Sequence, residues 1–187
     1  MKKIHVDWIA ILRYGLLLSL IVTAVLLIGF GIEPLAFSGD LPVEVQEKIG
    51  EIPERAVPVV WSVFLTVILS CIGLSILMNR AIFKDKKEKA TFINLLLNAF
   101  LLVNFFNLWD VMVIDIIIFD TIKPDFMKIP GAEEYVAEYV DAKFHTIGFF
   151  KGQPYMLVFA LISVGFYKLI FRRNSKNKKG EQRIVPQ

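Results

Sequence analysis

Four apolar stretches organise the chain, at residues 9–31, 58–78, 92–119 and 154–171, with charged or polar segments between them. Each holds close to the ~20 residues that a helix needs to cross ~30 Å of hydrocarbon. The pattern predicts an all-α integral membrane protein, a four-helix bundle forming one membrane domain over 1–187, with a tail at 172–187. The first run, broken by Arg13, follows "MKK", as the apolar segment of a signal peptide follows its basic start. It is long for such a segment, however, and no small-x-small cleavage site follows in "GFGIEPLAFSG". It therefore reads as a span.

Inside the spans, small and hydroxylated residues recur at helical spacing: Gly15, Ser19 and Thr23 in the first, then Ser62, Thr66, Ser70 and Gly73 in the second. Such stripes let helices approach closely in lipid, so both read as packed seams. Trp8 and Tyr167 at one boundary, with Trp61 and Tyr155 at the other, read as interfacial anchors.

Composition agrees with this picture: 56% of the residues are hydrophobic and 16 of the 187 are phenylalanine, against about 45–50% apolar in average soluble domains. The net charge of +3 hides a strong asymmetry. Basic residues gather at both termini and at 80–89, accounting for 15 of the 21 lysines and arginines, whereas the segments at 32–57 and 121–153 are rich in Asp and Glu. Positive charge stays on the cytoplasmic side, so both termini are expected there, in a bacterial cytoplasmic membrane. The basic tail is expected to meet anionic lipid headgroups rather than nucleic acid.

Chemical motifs are scarce. The single cysteine, Cys71, excludes an internal disulfide and a cysteine-cluster metal site within one chain. No Gly-rich phosphate loop, helical His-x-x-x-His pair or Gly-x-Ser-x-Gly elbow occurs. No cofactor is expected.

The third span differs from the others because it carries Asn94, Asn98, Asn104 and Asn107, then Asp110, Asp115 and Asp120 in "FFNLWDVMVIDIIIFD". A carboxylate facing lipid at the bilayer centre costs roughly 2.5–3.5 kcal/mol, so these groups should face protein or water. At about 100° per residue from Asn94, Asn98 lies near 40°, Asn104 near 280° and Asp115 near 300°, on one broad face. Asn107 and Asp110 fall beside it, at about 220° and 160°, and Asp120 turns away to about 80°. In this α-helical projection Asp120 is a solvated helix end before Pro124. Beyond it, Pro130 and Gly131 mark a turn, Tyr135 and Tyr139 suit a short interfacial helix, and His145 begins the approach to the fourth span. The candidate polar site is Asn107, Asp110, Asp115 and His145, in the outer half of the membrane.

Three segments, "FFNLWDVMVIDIIIFD", "IPG" and "FHTIGFFKG", resemble a set of small bacterial four-span membrane proteins with an Asn-x-x-Asp-x-x-x-x-Asp span, an Ile-Pro-Gly turn and a Phe-His segment. The resemblance covers residues 92–153, roughly a third of the chain. It implies that Asn107, Asp110, Asp115 and His145 form one constellation on the outer side, and it supplies no activity or cofactor.

The leading functional expectation is a structural, partner-binding or lipid-binding module of the cell envelope. The alternative is a proton- or cation-coupled transporter subunit using Asp110 and Asp115, which with four helices would need a second copy or another membrane protein as partner. A membrane-embedded enzyme ranks third: His145 and an aspartate offer an acid–base pair, with no nucleophile beside them.

Overall fold

The computed structural model describes residues 4–134, 136 and 140–181, with residue 40 and residues 172–181 described by backbone alone. Among the described residues the chain is helical throughout its regular structure. The main elements are α1 (Trp8–Ile32), α2 (Val43–Ile49), α3 (Val57–Phe83), α4 (Phe92–Trp109, extended by a π-helix over Asp110–Ile122) and α5 (Ala142–Glu181). Four segments are long and apolar enough to cross a membrane: Trp8–Ile32, Glu54–Phe83, Phe92–Ile122 and Ala142–Phe171.

Local chemistry sets the helix ends. The Asp7 carboxylate caps α1 by accepting from the Ala10 N–H at 3.0 Å, and the Thr91 hydroxyl caps α4 by accepting from Asn94 at 3.3 Å. Pro58 occupies the first turn of α3, where its missing N–H costs nothing. The π-helix ends at Lys123, which adopts the left-handed φ of 50°. Proline 130 and glycine 131, with φ 80° at Gly131, make the expected turn, closed by the Ala132 N–H to the Ile129 carbonyl at 3.1 Å.

The fourth long helix begins earlier than the apolar pattern indicates. Its start is Ala142 rather than residue 154, because Asp141 supplies the N-terminal acceptor, to the Phe144 N–H at 2.8 Å. Pro154 consequently lies inside α5. Having no N–H, it leaves the Phe150 carbonyl without its usual helical donor. The short helix expected around Tyr135 and Tyr139 lies in part outside the described residues, and so do the side chains of the basic tail.

The helices pack in a ring in which α1 meets α3 and α4, α5 meets α4 and α3, and α3 also touches α4. Leu18, Val22, Met78, Leu95, Leu102 and Val164 fill the centre, all fully buried. The outside is equally apolar: Leu69 is 67% exposed and Leu169 70%. A soluble bundle would place charge at such positions, so an exterior of this kind fits a hydrocarbon solvent.

Only one of the two small-residue stripes is a seam. Gly15 and Ser19 are buried, and a Cβ on Gly15 would lie 2.6 Å from the Phe105 ring, so α1 and α4 need glycine there. Along α3, by contrast, Ser62 is exposed and a Cβ on Gly73 would meet nothing within 4 Å. The packed face of α3 is instead built from Cys71, Leu74, Ser75, Met78 and Asn79. The stripe pointed to the wrong face because the packed side mixes large and small side chains, Leu74 and Met78 with Cys71 and Ser75, so residue size alone does not mark it.

Above the ends of the helices remote from the termini, the two connecting segments form a cap. Val45, Ile129 and Ala132 are buried together, with Leu35 and Leu41 packed against them. Phe30 at the end of α1 stacks on Phe37 at 3.8 Å, and Arg55 pairs with the buried Glu33 at 2.5 Å.

Candidate functional site

The change of helix type after Trp109 governs the site. From Asp110 to Ile122 the chain is β-branched at eight of thirteen positions, a composition that gains little from α-geometry. There the backbone bonds run i→i+5, as in the Lys123 N–H to Ile118 carbonyl bond of 2.9 Å. Residues five apart thus become neighbours on successive turns. The five-residue recurrence of Asp110, Asp115 and Asp120 matches this geometry, whereas an α-helix would scatter them.

His145 meets two of the three carboxylates. Its Nδ1 lies 3.0 Å from Asp115 Oδ2 and its Nε2 lies 3.3 Å from Asp120 Oδ1. The ring is 7% exposed, and the two carboxylate side chains are 29% and 23% exposed. The rings of Phe119 and Phe144 approach the imidazole edge-on, with centroids 6.4 Å and 5.5 Å away. Asp120 is therefore not the solvated helix end that the α-helical projection suggests. The π-turn carries it round beneath His145, and a signal for this was present in the spacing itself.

Beside this triad is a cavity of about 410 Å³, lined by Asn107, Asp110, Asp115 and His145 among otherwise apolar residues. Its walls come from every part of the far end: Leu26 and Phe30 from α1, Phe37 and Leu41 from the first connection, Met127 and Ile129 from the second. Asn107 is buried and donates through Nδ2 to the Phe149 carbonyl of α5 at 3.2 Å, where the close approach of Gly152 makes room for it. Asp120 faces a smaller adjoining pocket of about 130 Å³, with Lys123 and Lys128. At the exposed mouth Lys128 pairs with Asp125 at 2.5 Å, which holds the Asp125 carboxyl below its ordinary pKa.

The remaining asparagines of the third span belong elsewhere. Asn94 Oδ1 accepts from the His5 N–H at 3.1 Å, and Asn98 Oδ1 accepts from the Asp7 N–H at 3.0 Å. Asn98 Nδ2 returns to the His5 carbonyl at 2.9 Å, and Asn79 Nδ2 donates to the Leu95 carbonyl at 3.0 Å. Asn104 bonds within its own helix, to the Phe100 carbonyl at 3.0 Å. Trp109, passed over in the sequence, ties α4 to α1 just before the π-helix, donating from Nε1 to Thr23 Oγ1 at 3.1 Å. A tryptophan among seam residues gives no separate sequence signal.

The chemistry open to the triad follows from proton counting. A neutral imidazole has one donor and one acceptor nitrogen, but both of these nitrogens face carboxylate oxygens. Both contacts are hydrogen bonds only if His145 is protonated or if one aspartate carries the proton. The contacts therefore fit a single proton shared among the imidazole and the two carboxylates. Since the two ring nitrogens point at different aspartates, the three side chains do not converge on one point, and among the described residues no set of three His, Cys, Asp or Glu side chains is arranged to hold a metal ion. In comparisons with known proteins, the chain matches no family model, no curated protein and no solved structure.

Proposed function

We propose that this chain is a ligand-binding module of a bacterial cytoplasmic membrane, with both termini cytoplasmic and the cavity opening on the outer side. The carrying observation is that the polar cavity has one end. Asn107 and Asn98 stand nine residues apart, about 13 Å along the helix; between them Ala99, Leu102, Val103 and Phe106 are buried, and the half-buried Asn104 spends its amide N–H on the Phe100 carbonyl of its own helix. A translocation path needs polar groups or water at that level, whereas a binding pocket needs only one mouth. The volume of about 410 Å³ falls within the roughly 300–1,000 Å³ of small-molecule sites. The excess of basic residues near both termini supports the orientation, which a reporter active only in the cytoplasm, fused after Gln187, would test.

The decisive measurement is ion flux in liposomes holding the purified chain. Proton, sodium and potassium leak should equal that of empty vesicles, while native mass spectrometry of the chain extracted gently from its membrane should retain a small amphiphile or lipid. Flux above background that disappears in Asp110→Asn would overturn the binding reading in favour of transport.

A further inference from the structure

We infer that the end of the bundle nearest the termini holds an anionic phospholipid by its phosphate, at Arg80 of α3 and Lys168 of α5. This site lies at the opposite end from the cavity and does not depend on the cavity having a ligand.

Both cations stand inside apolar segments rather than in the polar stretches that follow. Arg80 is three residues from the end of the Glu54–Phe83 segment, and Lys168 is three from the end of Ala142–Phe171. Leu77 on α3 and Leu169 on α5 are exposed, as is the ring of Phe92 on α4. A surface of this kind meets hydrocarbon, and a charge at its edge reaches for the headgroup layer. Each charge is also laid over a phenyl ring of a neighbouring helix. The Arg80 guanidinium carbon lies 5.2 Å from the centroid of Phe171 in α5, and the Lys168 Nζ lies 4.8 Å from that of Phe92 in α4. The rings fix the two cations at the helix surface. The helix dipole accounts for a cation in the last turn of α3 but not for Lys168, since α5 runs on to Glu181.

A ring face attracts the charge but supplies no acceptor oxygen. Among the described residues Arg80 and Lys168 make no hydrogen bond and no ion pair, so their N–H donors are open to an outside acceptor. The chain has little acid to offer them. Asp7 is spent on the cap of α1. The connection at 84–89 carries Lys84, Lys86, Lys87 and Lys89 against Asp85 and Glu88, and residues 172–187 add six further cations with one acid, Glu181. A phosphate from outside the protein meets both cations, bidentate at arginine and as a point charge at lysine. The exposed Leu77, Phe92 and Leu169 make the ligand a lipid: its acyl chains cover the apolar surface beside each charge, whereas a soluble anion would cover the charge alone.

The test is native mass spectrometry of the full chain in uncharged detergent, titrated with phosphatidylglycerol or phosphatidylcholine of the same acyl chains. Phosphatidylglycerol should bind at roughly one-fifth the concentration or less, about the weight of one basic residue beside an anionic surface. Arg80→Gln with Lys168→Gln should remove that preference, while Arg80→Lys with Lys168→Arg should keep most of it. Lys86→Gln with Lys87→Gln, which takes the same charge from the loop, should keep it too. A readout that needs no substitution is a phosphatidylglycerol bearing a diazirine beside its glycerol, which should label residues 77–84, 92–96 and 165–171 of the unaltered chain. Equal binding of the two lipids, equal losses in both neutralised pairs, or labelling spread around the whole circumference would overturn the inference. Displacement of the lipid by millimolar inorganic phosphate would also overturn it, by showing an anion site indifferent to acyl chains.

Discussion

The polar groups at the two ends of this bundle are made of different chemistry and do different work. Near the termini the residues are amides. Asn94 and Asn98 bond the backbone of residues 5 and 7, and each amide supplies both donor and acceptor without titrating. At the far end one amide, Asn107, is joined by acids and an imidazole, of which Asp115, Asp120 and His145 bond one another beside open volume. The first set fastens the chain entering α1 against α4, and the second holds charge that can change. The fastening is incomplete: His5 Nε2 and Asn79 Oδ1 are buried without a hydrogen-bonding partner among the described residues. Buried amides spent on backbone point to assembly, as at Asn94 and Asn98, whereas partly exposed acids beside a cavity point to ligands.

The strongest test of the contrast is Asn98→Leu. Asn98 is fully buried, and its loss strands the Asp7 N–H and the His5 carbonyl, so stability should fall by about 3 kcal/mol. Thermal unfolding in detergent, with faster hydrogen exchange at residues 5–10, would register it. Should Asn98→Leu prove no more damaging than Asp115→Asn, the distinction between fastening and chargeable ends would collapse.

A smaller effect, about 1–3 kcal/mol, is expected at the α1–α4 seam that joins the two ends. Gly15→Ala forces its new methyl into the Phe105 ring and should lower Tm, while Gly73→Ala projects into open space and should leave Tm unchanged or slightly raised. Equal outcomes at the two glycines would mean that the α3 stripe is packed after all.

The smallest effect sharpens the far end. A double-mutant cycle on His145→Leu and Asp120→Asn should give a coupling energy of roughly 0.5–1.5 kcal/mol, since the contact is made by partly exposed groups. Additive effects would restore Asp120 to the role of a solvated helix end and argue against the π-turn.

The bundle was legible in the sequence because length, apolarity and charge bias are one-dimensional properties that survive without knowledge of neighbours. Three helices begin within a few residues of the apolar boundaries, whereas α5 does not, as Asp141 caps it from within a polar segment. The site was only partly legible. Asn107, Asp110, Asp115 and His145 do border one cavity, yet Asp120 was assigned to the wrong face because an angle of 100° per residue presumes α-geometry. Five-residue periodicity among aspartates was the visible sign of a wider turn. The α3 seam was misjudged for another reason: residue size says how close a neighbour can come, and nothing about which side the neighbour is on.

Pro154 gives the far end a mechanical property. His145 stands nine residues before it in the same helix, about 13 Å along the axis. The proline removes a backbone bond at the base of that arm and so lowers its resistance to bending there. A tilt of about 10° at the base would sweep His145 through about 2 Å, more than the slack of a hydrogen bond. A bend at Pro154 would therefore strain the contacts to Asp115 and Asp120 together, since one ring at the tip of the arm makes both.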